Sequence, residues 1–491
     1  MSTQRLCVTV TAATTAELRA RRDAVRDADL VELRLDTVAD PDVRGALAGR
    51  RLPAIVTCRA AWEGGSFAGS EEERKRLLGE ALALGAEYVD IEARAGFDDL
   101  LTPACRDRVV LSMHDFEGMP RDMATEIRAM RASGAAIAKL AVTTKRLADT
   151  VALLEVAASL RGDEGHILIG MGEHGVATRV LPSRFGSAWA YAGDLAAIGQ
   201  VTAAELLEVY RFRSHRASTD LFGVTGSPVG HSVSPAMHNA AFGAAGIDAV
   251  YLPLPAVDAA DFVACARAFA IRGANVTIPY KVALLDRMDA LSEVATRVGA
   301  LNTIRVDGAR WIGDNSDVNG FLAPLCEMVR PNGLRVAILG AGGAARAVAV
   351  ALASVGASVR VHARNPQRAA EVAQLASGAV GPRIPERDTW DLLINCTPVG
   401  MHPRSEDTPL PAEALSPGLV YDLVYNPTDT RLIRDARRAG CRTIGGLDML
   451  VGQARQSFEW WTGVAPSAVV MREAAMKRLA TFEYDHENHV V

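Results

Sequence analysis

The stretch "GAAIAKLAV", Gly134 to Val142, has the composition of a buried β-strand, and Lys139 is its only charged residue. A buried ammonium group is unfavourable unless it is paired or neutralised. Lys139 therefore either extends along its aliphatic stem to the surface or belongs to a site that uses an amine as a nucleophile. The surrounding sequence decides between these two interpretations.

This strand is one of a series of apolar runs that alternate with helical segments over about the first 200 residues. Stretches such as "EEERKRLLGEALALG" and "MATEIRAMRASG" between the runs have helical periodicity and end in glycine. The runs are RLCVTV, DLVELRL, PAIVTC, AEYVDIE, RVVLSMH, AAIAKLAV, GHILIGM and GSAWAYAG. Eight such units predict a (β/α)8 TIM barrel over residues 1–215.

Polar side chains recur where the apolar runs end. In a barrel, the carboxyl ends of the strands form a single mouth that carries the active site. The residues at these positions are Glu32, Arg34, Arg59, Glu63, Asp90, Glu92, His114, Lys139, Met171 and Arg179. Any one of them could be a structural ion pair, but the whole set, spread over six runs, favours a catalytic site.

The chemistry of three of these residues is complementary. A lysine amine can attack a ketone to form a protonated imine, which acidifies the neighbouring C–H bond. A histidine can then remove that proton near neutral pH, and a carboxylate fixes its tautomer. Lys139, His114 and Glu63 supply these groups, and Arg34 and Arg59 could bind a carboxylated substrate.

The segments "CRAAWEGG", "SMHDF" and "AKLAV" resemble the active-site segments of type I 3-dehydroquinate dehydratase. "VELRLD", "YVDIE" and "GMGEHGVATR" are similar to the same family in the same order, so that the resemblance covers about residues 5–205. It implies that Lys139 forms the Schiff base, that His114 is the general acid/base, and that Glu63 is its partner. The implied substrate-binding residues are Glu32, Arg34, Arg59, Met171, Arg179 and Gln200. One departure is "AAIGQ", Ala196 to Gln200, where the family has S-A-P-G-Q.

The second half of the chain contains "RVAILGAGGAARA", an apolar run followed by Gly340-x-Gly342-x-x-Ala345. In a strand–turn–helix context this pattern predicts a Rossmann-type dinucleotide site. The next predicted strand, "ASVRVHARN", has no acidic residue at its end for a ribose hydroxyl and instead places Arg364 there, with Arg368 shortly after. Arginine suits a 2′-phosphate, so NADP is the predicted cofactor.

Polar loops before this site predict where a substrate binds. "GSPVGHSVSPAMHN" carries Ser232 and Ser234, and "GANVTIPYK" places Lys281 after a predicted strand. "GALNTI" and "GDNSDVNG" supply Asn302 and Asp317. A lysine beside an aspartate can transfer a proton during ketone/alcohol interconversion.

These segments together resemble shikimate dehydrogenase, as do "INCTPVGM", "YDLVYNPTDT" and "GGLDMLVGQA", over about residues 221–475. The resemblance implies that Lys281 and Asp317 are the catalytic pair. The implied substrate-binding residues are Ser232, Ser234, Thr277, Asn302, Tyr425 and Gln453. The implied NADP-binding residues are Gly340, Gly342, Gly343, Ala344 and Arg364. Here "ARN", Ala363 to Asn365, replaces the N-R-T of the family.

Three domains follow: the barrel, a substrate lobe at 220–323 completed by helices at 453–491, and a Rossmann lobe at 324–452. The combination is similar to the bifunctional dehydroquinate dehydratase–shikimate dehydrogenases. It implies conversion of 3-dehydroquinate to 3-dehydroshikimate and then NADPH-dependent reduction to shikimate. Two alternatives stay open: a dehydrogenase half that prefers quinate or NAD, and a half that binds metabolites without catalysis.

Composition excludes other classes of protein. A formal charge of −5 and 5% aromatic residues argue against nucleic-acid and anionic-membrane partners. Seven scattered cysteines without a C-x-x-C pair indicate reduced thiols and argue against structural zinc, so that no metal is expected. The N-terminus has no signal-like segment, and a cytoplasmic location is expected. The oligomeric state stays open.

Overall fold

The computed structural model describes residues 4–163, 165–194 and 199–488. The chain forms two compact units. The first contains the residues up to Asp220 together with Asp248–Ala270, and the second contains Leu221–Ile247 and the residues from Ile271 onward. The segment Asp248–Ala270, which lies inside the predicted substrate lobe, therefore clusters with the first unit.

The eight predicted strands of the barrel are confirmed, and they form one parallel sheet. The strands are β1 (Leu6–Val10), β2 (Leu30–Arg34), β3 (Ala54–Thr57), β4 (Tyr88–Glu92), β5 (Val109–Asp115), β6 (Ile137–Thr143), β7 (His166–Met171) and β8 (Ala190–Ala192). Their order is β7-β6-β5-β4-β3-β2-β1-β8. A single parallel bridge between His166 and Ser187 brings the two ends of the sheet together.

Helices cover most of the connections between these strands. They are α1 (Thr15–Ala24), α2 (Val43–Leu47), α3 (Glu71–Ala83), α4 (Met123–Ala132), α5 (Leu147–Ser159) and α6 (Val176–Val180). The connection from β4 to β5 instead contains two 3₁₀ turns, Asp98–Leu100 and Arg106–Arg108. Pro103 lies between these turns, and since proline has no backbone N–H it disfavours a continuous helix there.

The strand alternation explains how one barrel holds both an apolar core and a polar site. Successive side chains point to opposite faces of a strand, so residues two apart share a face. On β6, Ile137 belongs to the apolar cluster inside the barrel and Lys139 follows two residues later. On β5, Val110 likewise precedes Ser112 and His114. The interior is therefore apolar at the amino ends of the strands and polar toward their carboxyl ends.

The remaining chain forms two further sheets with their helices. The strands are β9 (Asp220–Gly226), β10 (Ala249–Pro255), β11 (Gly273–Val276), β12 (Ala290–Leu291), β13 (Thr303–Asp307), β14 (Arg310–Asp314), β15 (Arg335–Leu339), β16 (Ser358–His362), β17 (Ala379–Val380), β18 (Leu392–Asn395), β19 (Leu419–Asp422) and β20 (Arg442–Ile444). The helices are α7 (Ser234–Ala244), α8 (Ala259–Ala268), α9 (Tyr280–Ala283), α10 (Glu293–Val298), α11 (Asp317–Met328), α12 (Gly343–Ser354), α13 (Pro366–Leu375), α14 (Arg431–Arg438), α15 (Gly446–Thr462) and α16 (Ala468–Asn488).

Both sheets of the second unit have recognisable topologies. In one, the strands that belong to the second unit follow the order β9-β11-β13-β14-β12, and the sheet is mixed, since β13 is antiparallel to β11 and to β14. The other runs β17-β16-β15-β18-β19-β20 with parallel pairs throughout. In order of appearance this is 3-2-1-4-5-6, the doubly wound arrangement that binds dinucleotides at the carboxyl ends of its strands. The predicted α/β architecture with a Rossmann-type lobe is confirmed. None of the helices in the described part of the chain has the length and apolar character needed to span a membrane.

The start of α5 in the first unit is capped by a carboxylate from far along the chain. Asp261 of α8 accepts hydrogen bonds from the backbone N–H groups of Leu147 (3.1 Å) and Ala148 (3.0 Å). It also accepts from the Nε of Arg146 (3.3 Å) and is buried. A carboxylate at a helix N-terminus satisfies free N–H groups and interacts favourably with the helix dipole.

We expect Asp261→Ala to destabilise the first turn of α5 by about 1–2 kcal/mol, because the backbone N–H groups of Leu147 and Ala148 lose their acceptor. Hydrogen–deuterium exchange should show faster exchange in the peptide that contains Leu147 and Ala148. Asp122→Ala is the matched control, since Asp122 caps α4 through the N–H of Thr125. It should affect α4 and leave α5 protected. Unchanged exchange at α5 in the Asp261 variant would contradict the capping role.

Candidate active sites

The ammonium group of Lys139 lies inside the barrel and is surrounded by carboxylates. Its Nζ donates a hydrogen bond to Asp90 Oδ2 at 2.8 Å and lies 3.7 Å from Glu32 Oε1. The same nitrogen lies 4.4 Å from the centre of the Tyr191 ring. The side chain is only 5% exposed, so Lys139 does not extend to the surface. The interpretation in which the aliphatic stem carries the ammonium group to the surface is therefore excluded.

Asp90 connects Lys139 to Arg59 on the neighbouring strand end. Arg59 Nη2 donates to Asp90 Oδ1 at 2.8 Å, and Ser112 Oγ donates to the same oxygen at 2.6 Å. Burial by itself would raise the pKa of Asp90, but Arg59 and Lys139 together hold it far below its usual range. Asp90 is thus a permanent anion that compensates two buried cations.

His114 and Glu63 form the second half of the barrel site. Glu63 Oε1 lies 2.8 Å from Nδ1 of His114 and accepts the backbone N–H of the same residue at 3.0 Å. Burial, together with Arg59 and Lys139, lowers the pKa of His114 well below its usual value. Burial raises the pKa of Glu63 to about 7, although Arg59 opposes this effect. The environment therefore disfavours charge on both groups, and the pair is suited to hold or release one proton near neutral pH.

The other predicted barrel residues surround this centre. Glu32 accepts hydrogen bonds from Thr9 and Thr57, at 2.9 and 2.8 Å. Arg34 donates twice to Asp36, whose carboxylate also accepts the backbone N–H of Arg59.

Three further predicted residues lie near the last strands of the barrel. Met171 ends β7 and is buried. Arg179 Nη1 lies 3.5 Å from the carbonyl oxygen of Tyr191, and burial lowers the pKa of Arg179 to about 10. Gln200 packs against Gly193 so closely that a Cβ atom on this glycine would clash with the Gln200 Oε1. Ala196, Ala197 and Ile198 of the "AAIGQ" departure lie outside the described residues.

The second site is organised around a lysine–aspartate pair. Lys281 Nζ donates to Asp317 Oδ2 at 2.6 Å. Asn302 Nδ2 donates to the other oxygen of the carboxylate at 2.8 Å. Lys281 lies on the short helix α9 after β11, and Asp317 begins α11. The three predicted residues therefore meet although they are separated by up to 36 positions in the sequence.

A buried hydrogen-bond network around Asn302 holds the Asp317 carboxylate in position. Asn302 Oδ1 accepts the backbone N–H of Ser316 at 2.7 Å, and Ser316 Oγ lies 3.1 Å from Ser457 Oγ. Ser316 Oγ also donates to Gln453 Oε1, at 3.4 Å. Because Gln453 and Ser457 lie on α15, this helix fixes Asn302 and thereby the carboxylate of Asp317.

The glycine loop lies directly beside the lysine. Gly340 has φ +108°, a conformation that favours glycine, and α12 begins at Gly343 with Ala344 in its first turn. A Cβ atom at Gly343 would lie 3.6 Å from Cδ of Lys281. Among the described residues, nothing lies within 4 Å of a Cβ built on Gly342, so the space in front of the helix N-terminus is open. Such a terminus can hold a pyrophosphate next to the lysine–aspartate pair.

Several predicted residues are not joined to the Lys281 network by a hydrogen bond between side chains of the described residues. Ser232 Oγ accepts the backbone N–H of Ser234, which begins α7. Thr277 accepts the N–H of Tyr280 through its carbonyl, one turn before Lys281. Tyr425 follows β19, and burial raises its pKa. Arg364 is exposed after the end of β16. Their roles stay predictions.

The sequence-based site missed some residues that the structure brings into contact with it. Asp90 was recognised as a polar strand end but received no role, and Ser112 and Tyr191 were not singled out. Period-two alternation gives a signal for Ser112, which lies two positions before His114 on the same strand. No local pattern identifies Ser316 and Ser457, which meet over 141 positions. In the described part of the chain, no cluster of three or more His, Cys, Asp or Glu residues could hold a metal ion.

Comparison with known protein families identifies matches in both halves of the chain. Residues 6–217 match the type I 3-dehydroquinase family. Residues 224–304 match the substrate-binding domain of shikimate dehydrogenase, and residues 446–476 match the shikimate 5′-dehydrogenase C-terminal domain.

Individual relatives agree with these matches. The chain is 32% identical over 474 residues to the chloroplastic bifunctional 3-dehydroquinate dehydratase/shikimate dehydrogenase of Arabidopsis thaliana, covering 89% of this chain and 78% of that protein. It is 48% identical over 280 residues to the NADP(+) shikimate dehydrogenase of Moorella thermoacetica, covering 53% of this chain and 95% of the relative. The shikimate 5-dehydrogenase of Thermus thermophilus, solved with NADP(H) and shikimate, is 38% identical with a TM-score of 0.50, covering 53% of this chain and 99% of that one.

Proposed function

Because the chain belongs to the family of bifunctional 3-dehydroquinate dehydratase/shikimate dehydrogenases, we propose that its two sites catalyse consecutive reactions. The barrel dehydrates 3-dehydroquinate to 3-dehydroshikimate, and the second site reduces 3-dehydroshikimate to shikimate with NADPH. The observation that carries the proposal is the buried Lys139 beside the His114–Glu63 pair, in a chain that also holds Lys281 against Asp317. We assign the dehydratase to residues 1–215, and the dehydrogenase to 220–323 with 453–491 and to 324–452.

Lys139 is the proposed nucleophile of the dehydration. Its amine attacks the substrate ketone, water leaves, and a protonated imine links the substrate to Nζ. Asp90 accepts a hydrogen bond from Nζ and orients this nitrogen for the attack, while the carboxylate itself stays ionised. The imine then carries its positive charge where the ammonium charge lies at rest, between Asp90 and the face of Tyr191.

His114 is the proposed general base and acid. It removes the proton from the carbon next to the imine, and the substrate hydroxyl leaves as water. Glu63 holds Nδ1, so that Nε2 is the nitrogen free for the substrate. Arg59 and Arg179 are buried cations, and with Glu32, Arg34, Met171 and Gln200 they are the proposed substrate-binding groups. Hydrolysis of the imine finally releases the ketone product and restores Lys139.

In the dehydrogenase site, Lys281 is the proposed proton donor to the developing alkoxide. Asp317 holds the ammonium group, and Asn302 holds Asp317 in turn. Asn302 and Gln453, with Ser232, Ser234, Thr277 and Tyr425, are the proposed groups for the substrate. The NADP-dependent relatives and the open space at Gly342 support NADP as the cofactor, held by Gly340, Gly342, Gly343, Ala344 and Arg364. When bound, NADPH supplies the hydride.

The alternatives differ in how well they are supported. A quinate- or NAD-preferring dehydrogenase would use the same lysine–aspartate pair, so the pair does not separate the two substrates. Arg364 at the end of β16, where an acidic residue would favour NAD, supports NADP. A scaffold without catalysis is disfavoured because both lysines contact their aspartates within 3 Å.

We further propose a cytoplasmic location, without nucleic acid or membrane as partners. The support is compositional: a formal charge of −5 and seven cysteines. All seven are free thiols.

A coupled assay tests the function. Wild-type protein with 3-dehydroquinate and NADPH should oxidise NADPH. Lys139→Ala should abolish this oxidation, while added 3-dehydroshikimate restores it, because only the imine-forming amine is lost. Lys281→Ala should still produce 3-dehydroshikimate but oxidise little NADPH. Mixing the two variants should restore the complete sequence of reactions.

Lys145→Ala is the control, since Lys145 is exposed just after β6 and should be dispensable. A wild type that ignores 3-dehydroquinate but reduces 3-dehydroshikimate would contradict the barrel assignment. Activity only with quinate and NAD would replace the proposed second reaction.

We expect the dehydratase kcat to decrease as the pH falls below about 7, because the Glu63–His114 pair then takes up a proton and the base is lost. Glu63→Gln should lower kcat by about 10- to 100-fold and remove this acidic limb. Glu117→Gln, an exposed change in the loop after His114, should behave as wild type. An unchanged acidic limb in Glu63→Gln would assign the titration to another group.

The ring of Tyr191 is expected to stabilise the positive charge that the imine carries on Nζ. A desolvated cation–π contact is worth about 2 kcal/mol, so Tyr191→Leu should lower kcat by about tenfold or more. Tyr191→Phe, which keeps the ring, should retain activity. Steady-state kinetics and borohydride trapping of the imine measure the effect. Equal losses in both variants would show that the hydroxyl group, and not the ring, is required.

A further inference from the structure

One edge of the Rossmann sheet carries an excess of arginine. Residues 357–384 contain Arg360, Arg364, Arg368 and Arg383 but a single acidic residue, Glu371. In the part of the chain that the structure describes, none of these four arginines forms an ion pair. Several arginines elsewhere in the lobe are paired, for example Arg335 with Asp391 at 2.7 Å and Arg434 with Glu406 at 2.8 Å. The four arginines are thus available for an anion.

Strand register brings Arg383 toward Arg364. β16 and β17 are parallel, with Arg360 opposite Ala379 and Val361 opposite Val380. The pairing continues past β17, because the N–H of Gly381 donates to the carbonyl of Val361 at 2.9 Å. If this register continued for two more residues, Arg383 would lie opposite Arg364, and adjacent strands lie about 5 Å apart.

His362 fixes the chain at this point. Its Nδ1 lies 2.5 Å from the carbonyl oxygen of Pro382, the residue before Arg383. A Cβ atom at Gly381 would clash with Cε1 of the His362 ring, so only glycine allows this approach. The backbone before Arg383 is therefore held against the end of β16, within reach of a long arginine side chain.

Apart from Arg368 on α13, the neighbours of Arg364 supply little else for a phosphate. Ala363 has no polar side-chain atom, and the Oδ1 of Asn365 accepts the backbone N–H of Arg368 at 3.1 Å as the cap of α13. Neither side chain has a free donor comparable to a guanidinium, which can bind phosphate oxygens through two N–H groups. A 2′-phosphate at this edge would be held more strongly if a second guanidinium approached from β17.

We propose that Arg383 is a second guanidinium ligand for the 2′-phosphate of the dinucleotide, facing Arg364 across the edge of the sheet. The inference rests on the proposed NADP-dependent function and adds a residue that determines cofactor preference. Arg383 supplies a phosphate contact in place of the polar side-chain contact that Ala363 cannot make, and its effect is confined to the phosphate that distinguishes NADP from NAD.

Binding of adenosine 2′,5′-bisphosphate and of adenosine 5′-monophosphate tests the inference without turnover. Isothermal titration calorimetry on the full chain should show about tenfold weaker binding of the bisphosphate to Arg383→Ala, since a charge-assisted contact is lost. Binding of the monophosphate should not change. Arg383→Lys should recover part of the affinity, and the apparent KM for NADPH should rise in Arg383→Ala with kcat retained.

Arg330→Ala is the matched control. Arg330 is also exposed and lies before β15, at the opposite end of the parallel strands. It should leave both affinities unchanged. Equal bisphosphate binding by wild type and Arg383→Ala would overturn the role of Arg383, even if the wild type reduces 3-dehydroshikimate with NADPH. Failure of the wild type to prefer the bisphosphate over the monophosphate would instead overturn NADP as the cofactor.

Discussion

The carboxylate of Asp90 is the interaction on which the barrel site depends. Two cations, Lys139 and Arg59, lie in an interior from which water is largely excluded, and each would be strongly unfavourable alone. Asp90 accepts from both, at 2.8 Å each, and Ser112 satisfies it further. This arrangement also suits the reaction, because a protonated imine on Nζ carries the same charge in the same place. The environment that stabilises the resting ammonium is therefore preorganised for the imine.

The second site also contains a lysine–aspartate ion pair, but different structural elements hold this pair in place. Lys281 and Asp317 are more exposed than Lys139 and Asp90, at 17% and 10% of their side chains against 5% and 0%. They lie at the starts of two helices, and their geometry is set by Asn302, Ser316 and α15. A helix distant in sequence thus positions a carboxylate that touches the proposed proton donor.

The sequence predicts the features of the fold and of the site that leave a pattern in neighbouring residues. Apolar runs identified every barrel strand, and polar residues at their ends identified Lys139, His114 and Glu63, because parallel strands bring their carboxyl ends together. The sequence did not predict that Asp90 is the direct hydrogen-bond partner of Lys139. Spacing along the chain does not give the distance between two side chains. The sequence also predicted a helical segment after every barrel strand, whereas 3₁₀ turns follow β4 around Pro103. Contacts such as Ser316 with Ser457 depend on tertiary packing alone.

The replacement at Ala363 illustrates why a motif departure need not remove a function. A directional hydrogen bond from one side chain is lost completely when that side chain becomes alanine. Charge attraction depends less on direction, and a guanidinium can approach the same phosphate from a neighbouring strand. Arginines without ion-pair partners at this edge leave positive charge uncompensated, and a bound phosphate would balance part of it. Several arginines elsewhere in the lobe are paired with carboxylates, whereas Arg364 and Arg383 have no ion pair among the described residues at the edge where a doubly wound fold brings the phosphate of a dinucleotide.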